Sequence, residues 1–214
     1  DSIQFGGYQW FRRSSRLGLS ANPDIQVFIV SKITGDRSSD DRLFLLGGSS
    51  MGLACAAGTD GWSWRFNAGK EIYNSVTKNV IGLQVWERSD GDTFDASRFY
   101  LNGIEQTRTS GSSDTSVPTS LVEHMQVGAG TGGTQMVGFL GEVIVLESDD
   151  QQNRGMVEAY LANKWGIADL LPANHFANRS YLVSTSELDY EDSESLSIRV
   201  RASDEYNMSV EGNF

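Results

Sequence analysis

The sequence is short of the residues that several classes of protein depend on. Its 214 residues include one cysteine, three prolines and two histidines. A single thiol, Cys55, cannot form a disulfide within the chain. Neither His124 nor His175 lies in a triad-like or metal-spaced motif. Disulfide-stapled scaffolds and histidine-based hydrolases are therefore disfavoured.

Long basic and long apolar runs are also missing. The formal net charge is −11, and the longest basic cluster, "RRSSR", is too small to neutralise a run of phosphates, so we expect no nucleic-acid partner. No apolar run approaches the roughly 20 residues that span a bilayer, and the opening "DSIQFGG" does not resemble a signal peptide. We expect no membrane insertion, and we expect this chain to be a piece of a longer protein.

Glycine and strand-like segments are plentiful instead. Twenty-three glycines, with many Ser, Thr, Asn and Asp residues, supply the turns of an all-β fold. Short apolar segments recur between polar turns, a spacing typical of two packed antiparallel sheets. These segments are residues 25–32, 42–48, 51–58, 62–69, 80–88 and 138–147.

Two of these strand signals have clear local detail. In "WSWRF" the tryptophans alternate with Ser63 and Arg65, which predicts a strand with one dry and one wet side. In "RFYLNGIEQ" the pair Asn102-Gly103 tolerates the positive φ values of a type I′ turn. We predict a tight hairpin there.

One helix interrupts this pattern, in "RGMVEAYLANKWGI" at residues 154–167. Ser148 is a candidate N-cap, with Gln151 completing a capping box, and Gly166 can take the left-handed conformation that ends a helix. The spacing of its apolar residues predicts that Val157, Leu161 and Trp165 contact the body of the domain, with Tyr160 at the edge.

The order of the segments "FYLNG", "VGAG", "GFLGEVIVLE", "VEAYLANKWGI" and "LPANH" resembles the closing half of laminin-G-like domains of the concanavalin A-like lectin and glucanase superfamily. The opening "IQFGGYQWF" and "LGLSANPDIQVFIVSK" resemble its first strands, so the resemblance covers residues 1–172. It implies a jelly-roll sandwich of two antiparallel sheets. Ligands, often glycans, are then expected near the concave sheet or its rim.

The hydrolytic branch of that superfamily carries paired carboxylates on one strand, because retaining glycoside cleavage needs two of them about 5 Å apart. In "GEVIVLE" the five-residue spacing of Glu142 and Glu147 puts them on opposite faces of a strand. We therefore expect no enzyme.

A second resemblance follows residue 172. The stretch "LDYEDSESLSIRVRASDEYNMSVEGNF" resembles the latter part of a bacterial cadherin-like repeat, which makes residues 173–214 a partial repeat. The resemblance implies that Asp189 and Glu191 supply calcium ligands. In the first segment, Asp90 and Asp92 of "RSDGDTFDAS" are comparable candidates, since Ca²⁺ prefers several oxygen ligands from one loop. The alternative is that these are solvated acidic turns.

Aromatic residues carry the remaining binding signal, because sugar rings stack their apolar faces on exposed Trp and Tyr side chains. Trp62 and Trp64, with Arg65 and Tyr73 nearby, are the candidate ligand-binding residues. The two tryptophans could equally line the core between the sheets, and the sequence leaves this open.

The prediction is a non-catalytic extracellular module, laminin-G-like, from a large modular bacterial surface protein. It would serve adhesion by binding a glycan or another cell-surface ligand beside neighbouring domains of the same chain. One alternative is a structural spacer without its own ligand, and another is a glycoside hydrolase or lyase of the same superfamily.

Overall fold

A computed structural model of the chain describes residues 3–6, 11–13, 24–35, 41–46, 53–58, 61–66, 69–73, 76–89, 96–111, 125–128, 136–176, 199–203 and 209–213. The chain divides into two compact units, Asp1–Arg179 and Ser180–Phe214. In the second unit, β14 (Arg199–Ser203) pairs antiparallel with β15 (Ser209–Asn213).

The first unit contains two antiparallel sheets. The six-stranded sheet has the order β1 (Ile3–Gly6), β13 (Val137–Leu146), β3 (Ile25–Ile33), β8 (Ile81–Arg88), β9 (Arg98–Leu101) and β10 (Ile104–Glu105). The seven-stranded sheet has the order β11 (Ser110–Gly111), β7 (Gly69–Ile72), β6 (Gly61–Phe66), β5 (Leu53–Gly58), β4 (Asp41–Leu46), β12 (Met125–Val127) and β2 (Phe11–Arg13). The predicted all-β sandwich is confirmed.

The core between the two sheets is aromatic. Trp62 of β6 meets Trp86 of β8 edge to face, with ring centroids 6.1 Å apart. The ring of Phe99 lies 4.9 Å from that of Trp86 and 5.9 Å from that of Trp62. All three side chains are buried. Such ring pairs add to the stability gained from area burial, so they fix the distance between the sheets.

The central strands of the six-stranded sheet, β3 and β8, are buried on both faces. Along β3, Ile25, Val27 and Ile29 face the seven-stranded sheet. The residues between them include Phe28 and Val30, which pack with residues of helix α1 (Gln151–Lys164) on the other face. A strand covered on both sides reads as a continuous apolar run, and this explains the sequence of β3.

The hairpin between β9 and β10 has the predicted two-residue turn. Leu101 pairs with Ile104, and the two turn residues have positive φ, 52° at Asn102 and 76° at Gly103. This is the type I′ arrangement, so the prediction is confirmed.

Helix α1 starts two residues later than the capping-box pattern predicted. Its N-cap is Asp150, whose Oδ1 accepts a hydrogen bond from the backbone N of Gln152 at 2.7 Å. Ser148 Oγ accepts instead from the backbone N of Asp150 at 3.1 Å, so the predicted Ser148 cap is wrong. Either side chain can accept such a bond. Here the bond to Ser148 closes a turn that places Asp150 at the N-terminus of the helix.

The C-terminal end of α1 is as predicted. Gly166 has φ 65°, its N–H bonds to the carbonyl of Asn163, and the N–H of Ile167 bonds to that of Ala162. This pair of bonds is a Schellman motif. Two short 3₁₀ helices, Ala168–Leu170 and Ala173–Phe176, complete the described part of this unit. None of the helices in the described segments has the length and apolar character needed to cross a membrane.

Strand β6 differs from its prediction in one respect. Trp62 faces the inter-sheet core, as one of the two interpretations had it, but Ser63 on the opposite face is fully buried as well. The expected wet side is therefore wrong at this residue. Alternation determines which face a side chain takes, and it does not determine whether that face is covered.

Candidate binding site

A cleft of about 500 Å³ lies at one edge of the sandwich. At this edge the chain leaves the six-stranded sheet after β10 and enters the seven-stranded sheet at β11. We call it the edge cleft. It is lined by Tyr73, Ala96, Ser97, Arg98, Glu105, Gln106, Thr107 and Arg108.

The segment that crosses between the sheets is fixed to both of them. The backbone N of Gln106 donates to the carbonyl of Phe99 in β9 at 2.8 Å. At its other end, the backbone N of Thr109 donates to the carbonyl of Ile72 in β7 at 2.8 Å, and Thr109 Oγ1 donates to the same oxygen at 3.1 Å. Residues 106–109 therefore form a rigid wall, which is the condition for a preorganised site.

Tyr73 forms the floor of the edge cleft. Its side chain is buried between the sheets, where its ring centroid lies 5.2 Å from that of Phe99. The Tyr73 hydroxyl donates to the carbonyl oxygen of Ser97 at 3.1 Å. This bond ties the start of β9 to the end of β7, so the floor joins the two sheets.

Arg98 is a partly exposed cation that forms an ion pair with a buried carboxylate. Its side chain is 40% exposed, and its Nη2 lies 2.8 Å from Oε1 of the buried Glu87. Glu87 also accepts hydrogen bonds from Gln26 Nε2 at 2.9 Å and from Gln151 Nε2 at 2.7 Å. A guanidinium has five N–H donors, and the ion pair with Glu87 leaves donors of Arg98 for a ligand.

The lining of the edge cleft is rich in hydrogen-bond donors and contains one carboxylate. Arg98, Gln106, Thr107 and Arg108 bring hydrogen-bond donors to its walls, and Thr107 and Arg108 are exposed. Among the eight lining residues the only carboxylate is Glu105, so the paired carboxylates of a glycoside hydrolase are not found there. The arrangement supports binding through hydrogen bonds.

Two of the predicted aromatic residues, Trp62 and Tyr73, are buried. Trp62 and Tyr73 are 4% and 2% exposed, in the core between the sheets. A stacking platform must be exposed, so the position of these two side chains does not fit that prediction. Trp64 and Arg65 have their backbones in β6, and their side chains lie outside the described part of the structure.

The four candidate calcium ligands, Asp90, Asp92, Asp189 and Glu191, lie outside the described residues. Within the described segments no three His, Cys, Asp or Glu residues come together as a metal site would require. The calcium prediction therefore stays a prediction.

Apart from Tyr73, the residues of the edge cleft were missed by the sequence analysis. A signal existed, because "EQTR" at residues 105–108 is a polar run directly after the predicted hairpin turn. Its polarity is equally typical of any exposed turn. Only the pairing of β11 with β7 shows that this run bridges the two sheets.

The fold defines the class of this protein as an all-β sandwich of antiparallel sheets, similar to jelly-roll structures. A scan against protein-family models found no match, and a search of curated protein sequences found none.

Three solved structures illustrate the likeness. The CBM40 of a Ruminococcus gnavus sialidase bound to α2,6-sialyllactose has a TM-score of 0.54 at 11% identity, covering 73% of this chain and 95% of that one. A heptameric SAP-like pentraxin from Limulus polyphemus has a TM-score of 0.53 at 14% identity, with 72% and 78% covered. Domain 4 of an extracellular arabinanase from Geobacillus stearothermophilus, in complex with arabinotriose, has a TM-score of 0.51 at 12% identity, with 80% and 76% covered.

Proposed function

We propose that the first unit is a non-catalytic carbohydrate-binding module that holds its ligand in the edge cleft. The observation that carries the proposal is the wall of residues 106–109, which is hydrogen-bonded to both sheets and borders a cleft that Arg98 also lines. Sugars present many hydroxyls at fixed angles. A fixed array of donors and acceptors suits such a ligand, because little conformational entropy is lost on binding.

The structural relatives support a glycan as the ligand class. Two of the three are complexes with sugars, sialyllactose in one and arabinotriose in the other. This support comes from the likeness in fold.

The wider context belongs to the same proposal. The unit would be a laminin-G-like domain, and the segment after it part of a cadherin-like repeat, in a large modular bacterial protein at the cell surface or outside the cell. Binding of a surface glycan would then serve adhesion. Support comes from the segment order at residues 99–175 and from the concanavalin A-like fold.

A glycan array tests this function directly. We expect the protein to retain a related set of glycans, and Arg108→Ala and Gln106→Ala to weaken their binding about tenfold each, the effect of one or two lost hydrogen bonds. Both side chains are at the surface, so the variants should fold. Lys78→Ala, an exposed residue outside the cleft, is the matched control and should bind as the parent protein does.

A spacer without a ligand is the competing function. It is favoured by the burial of Trp62 and Tyr73, because the aromatic side chains proposed to stack on sugars serve the core instead. Absence of retained glycans on the array, with and without calcium, would favour the spacer and reject the binding module. Turnover of an arrayed glycan would favour the hydrolase or lyase alternative.

Calcium is a separate proposal that rests on the acidic loops at residues 90–95 and 187–194. If a loop binds the ion in the folded state only, the melting temperature rises with calcium and falls with a chelator. Equal melting temperatures under both conditions would contradict structural calcium. Two double variants assign a positive result to one acidic stretch. The first is Asp90→Asn with Asp92→Asn, and the second is Asp189→Asn with Glu191→Gln.

A further inference from the structure

A second concavity, of about 240 Å³, lies away from the edge cleft. It sits on the outer face of the six-stranded sheet, where α1 ends and no longer covers the strands. We call it the helix-end pocket. Phe139 of β13, Lys32 of β3 and Ile81 of β8 form one row across its floor, since Lys32 pairs in register with both neighbours.

The wall of the helix-end pocket is the indole of Trp165, which is held in place at two points. Its Nε1 donates to Oε2 of Glu142 at 3.0 Å. The ring lies against the backbone at Gly141, where an added Cβ would come within 2.9 Å of the ring carbons. A fixed aromatic wall can contact a ligand without losing side-chain entropy.

The carboxylate beside this wall is already neutralised. Glu142 Oε2 accepts from Trp165, and its Oε1 lies 3.1 Å from Nζ of Lys164. Both oxygens therefore have donors, and the charge of Glu142 is compensated by Lys164. A ligand entering the helix-end pocket would not meet a free anion at this wall.

The ammonium charge of Lys32, in contrast to the carboxylate of Glu142, is not compensated by any described residue. Among the described residues its ammonium has no hydrogen bond or ion pair, while the lining around it is apolar, from Val30, Ile81, Phe139 and Trp165. An ammonium beside apolar side chains attracts an anion more strongly than one in open water, because the lower dielectric strengthens the interaction.

We propose that the helix-end pocket binds a compact ring that carries one carboxylate. The apolar face of the ring would lie on Trp165 and Phe139, and the carboxylate would pair with Lys32. Two sources share this chemistry, an aromatic acid and an acidic monosaccharide. The proposal is independent of the edge cleft, because the two concavities share no lining residue.

The test is a titration of the ¹⁵N-labelled protein with phenylacetate and, separately, with D-glucuronate. The readout is the indole N–H resonance of Trp165, assigned with Trp165→Phe. We expect a saturable shift with at least one probe. If phenylacetate binds, we expect 2-phenylethanol, which has a similar ring without the charge, to bind about tenfold more weakly. The probe that binds identifies the source.

Lys32→Met supplies the decisive variant, since it keeps the apolar stem and removes the ammonium. We expect it to weaken binding about tenfold, while Lys78→Met, at an exposed lysine elsewhere, leaves the dissociation constant unchanged. Unchanged backbone amide spectra confirm that both variants fold. No shift of the Trp165 resonance with either probe up to about 10 mM, or an equal shift in Lys32→Met, would overturn the proposal.

Discussion

Both faces of the six-stranded sheet are buried along β8, yet the residues that cover them differ in chemistry. Trp86 and Glu87 are consecutive in β8 and both are fully buried. Trp86 meets the aromatic core between the sheets, whereas Glu87 faces the first turns of α1. Burial in this protein therefore does not imply an apolar contact.

The helix side is a polar cluster of Glu87, Arg154, Glu158 and His175, in which each side chain contacts another member. The guanidinium of Arg154 lies 3.7 Å from the ring centroid of Tyr100 and 3.4 Å from Glu158 Oε1. On the far side, His175 Nε2 lies 2.9 Å from Glu158 Oε2. Buried ion pairs cost desolvation that their attraction barely offsets, so their main effect is to specify where the helix sits. Apolar packing specifies this less tightly.

The largest loss of stability should come from the aromatic side. Trp86→Ala removes a fully buried indole and leaves a cavity between the sheets, which should lower the free energy of unfolding by about 4 kcal/mol. Chemical denaturation followed by circular dichroism measures it. Tyr160→Ala, on the exposed side of α1, is the control and should cost under about 0.5 kcal/mol. A similar loss in the free energy of unfolding for both variants would mean that the aromatic cluster stabilises the fold no more than an exposed side chain does.

Loss of a single charged partner on the helix side should destabilise the fold nearly as much as Trp86→Ala does. Glu87→Gln keeps the shape but removes the charge that faces Arg98 and Arg154, and it should cost about 3 kcal/mol. In a double-mutant cycle, Glu87→Leu with Arg154→Leu should cost less than the sum of the single changes. Additive losses would show that the two groups act independently.

A smaller effect should appear at high pH through Tyr100. Burial, with a contribution from the nearby Glu87 carboxylate, raises the pKa of Tyr100 from 10.0 to about 12. A tyrosine in the unfolded chain ionises first, so the free energy of unfolding should fall as pH rises from 10.0 to about 12. Denaturation at intervals across this range measures the fall, and Tyr100→Phe should reduce it. An identical pH dependence in Tyr100→Phe would exclude this residue as the cause.

The smallest effect separates two capping residues. Asp150→Ala removes the bond to the backbone N of Gln152 and should cost about 1 kcal/mol. Ser148→Ala should cost less, because its hydroxyl accepts from Asp150 before the helix begins. If the serine variant is the less stable of the two, the helix starts where the sequence pattern placed it.

Local patterns predicted much of the fold. The apolar run of β3, the Asn102-Gly103 turn and the Gly166 helix end each depend on neighbouring residues, and each is found as predicted. The start of α1 was displaced by two residues, since Ser148 and Asp150 are both good caps and the path of the chain after β13 decides between them.

Contacts between distant residues could not be predicted in the same way. Gln26 and Glu87 are 61 positions apart, and Gln151 and Glu87 are 64 apart. Nothing in the strand pattern marks Glu87 as buried, because a charged residue near a strand end is usually solvated. The edge cleft depends on such a contact too, since Arg98 is positioned by Glu87.

The most direct test of the glycan-binding account is to map a bound glycan by NMR. The sugar retained most strongly on the array is titrated into ¹⁵N-labelled protein, and the backbone amide shifts are assigned. The account predicts the largest shifts at Ser97 and residues 105–108, around the edge cleft. Large shifts confined to the opposite edge of the sandwich, at β1 and β2, with none at these residues, would contradict it.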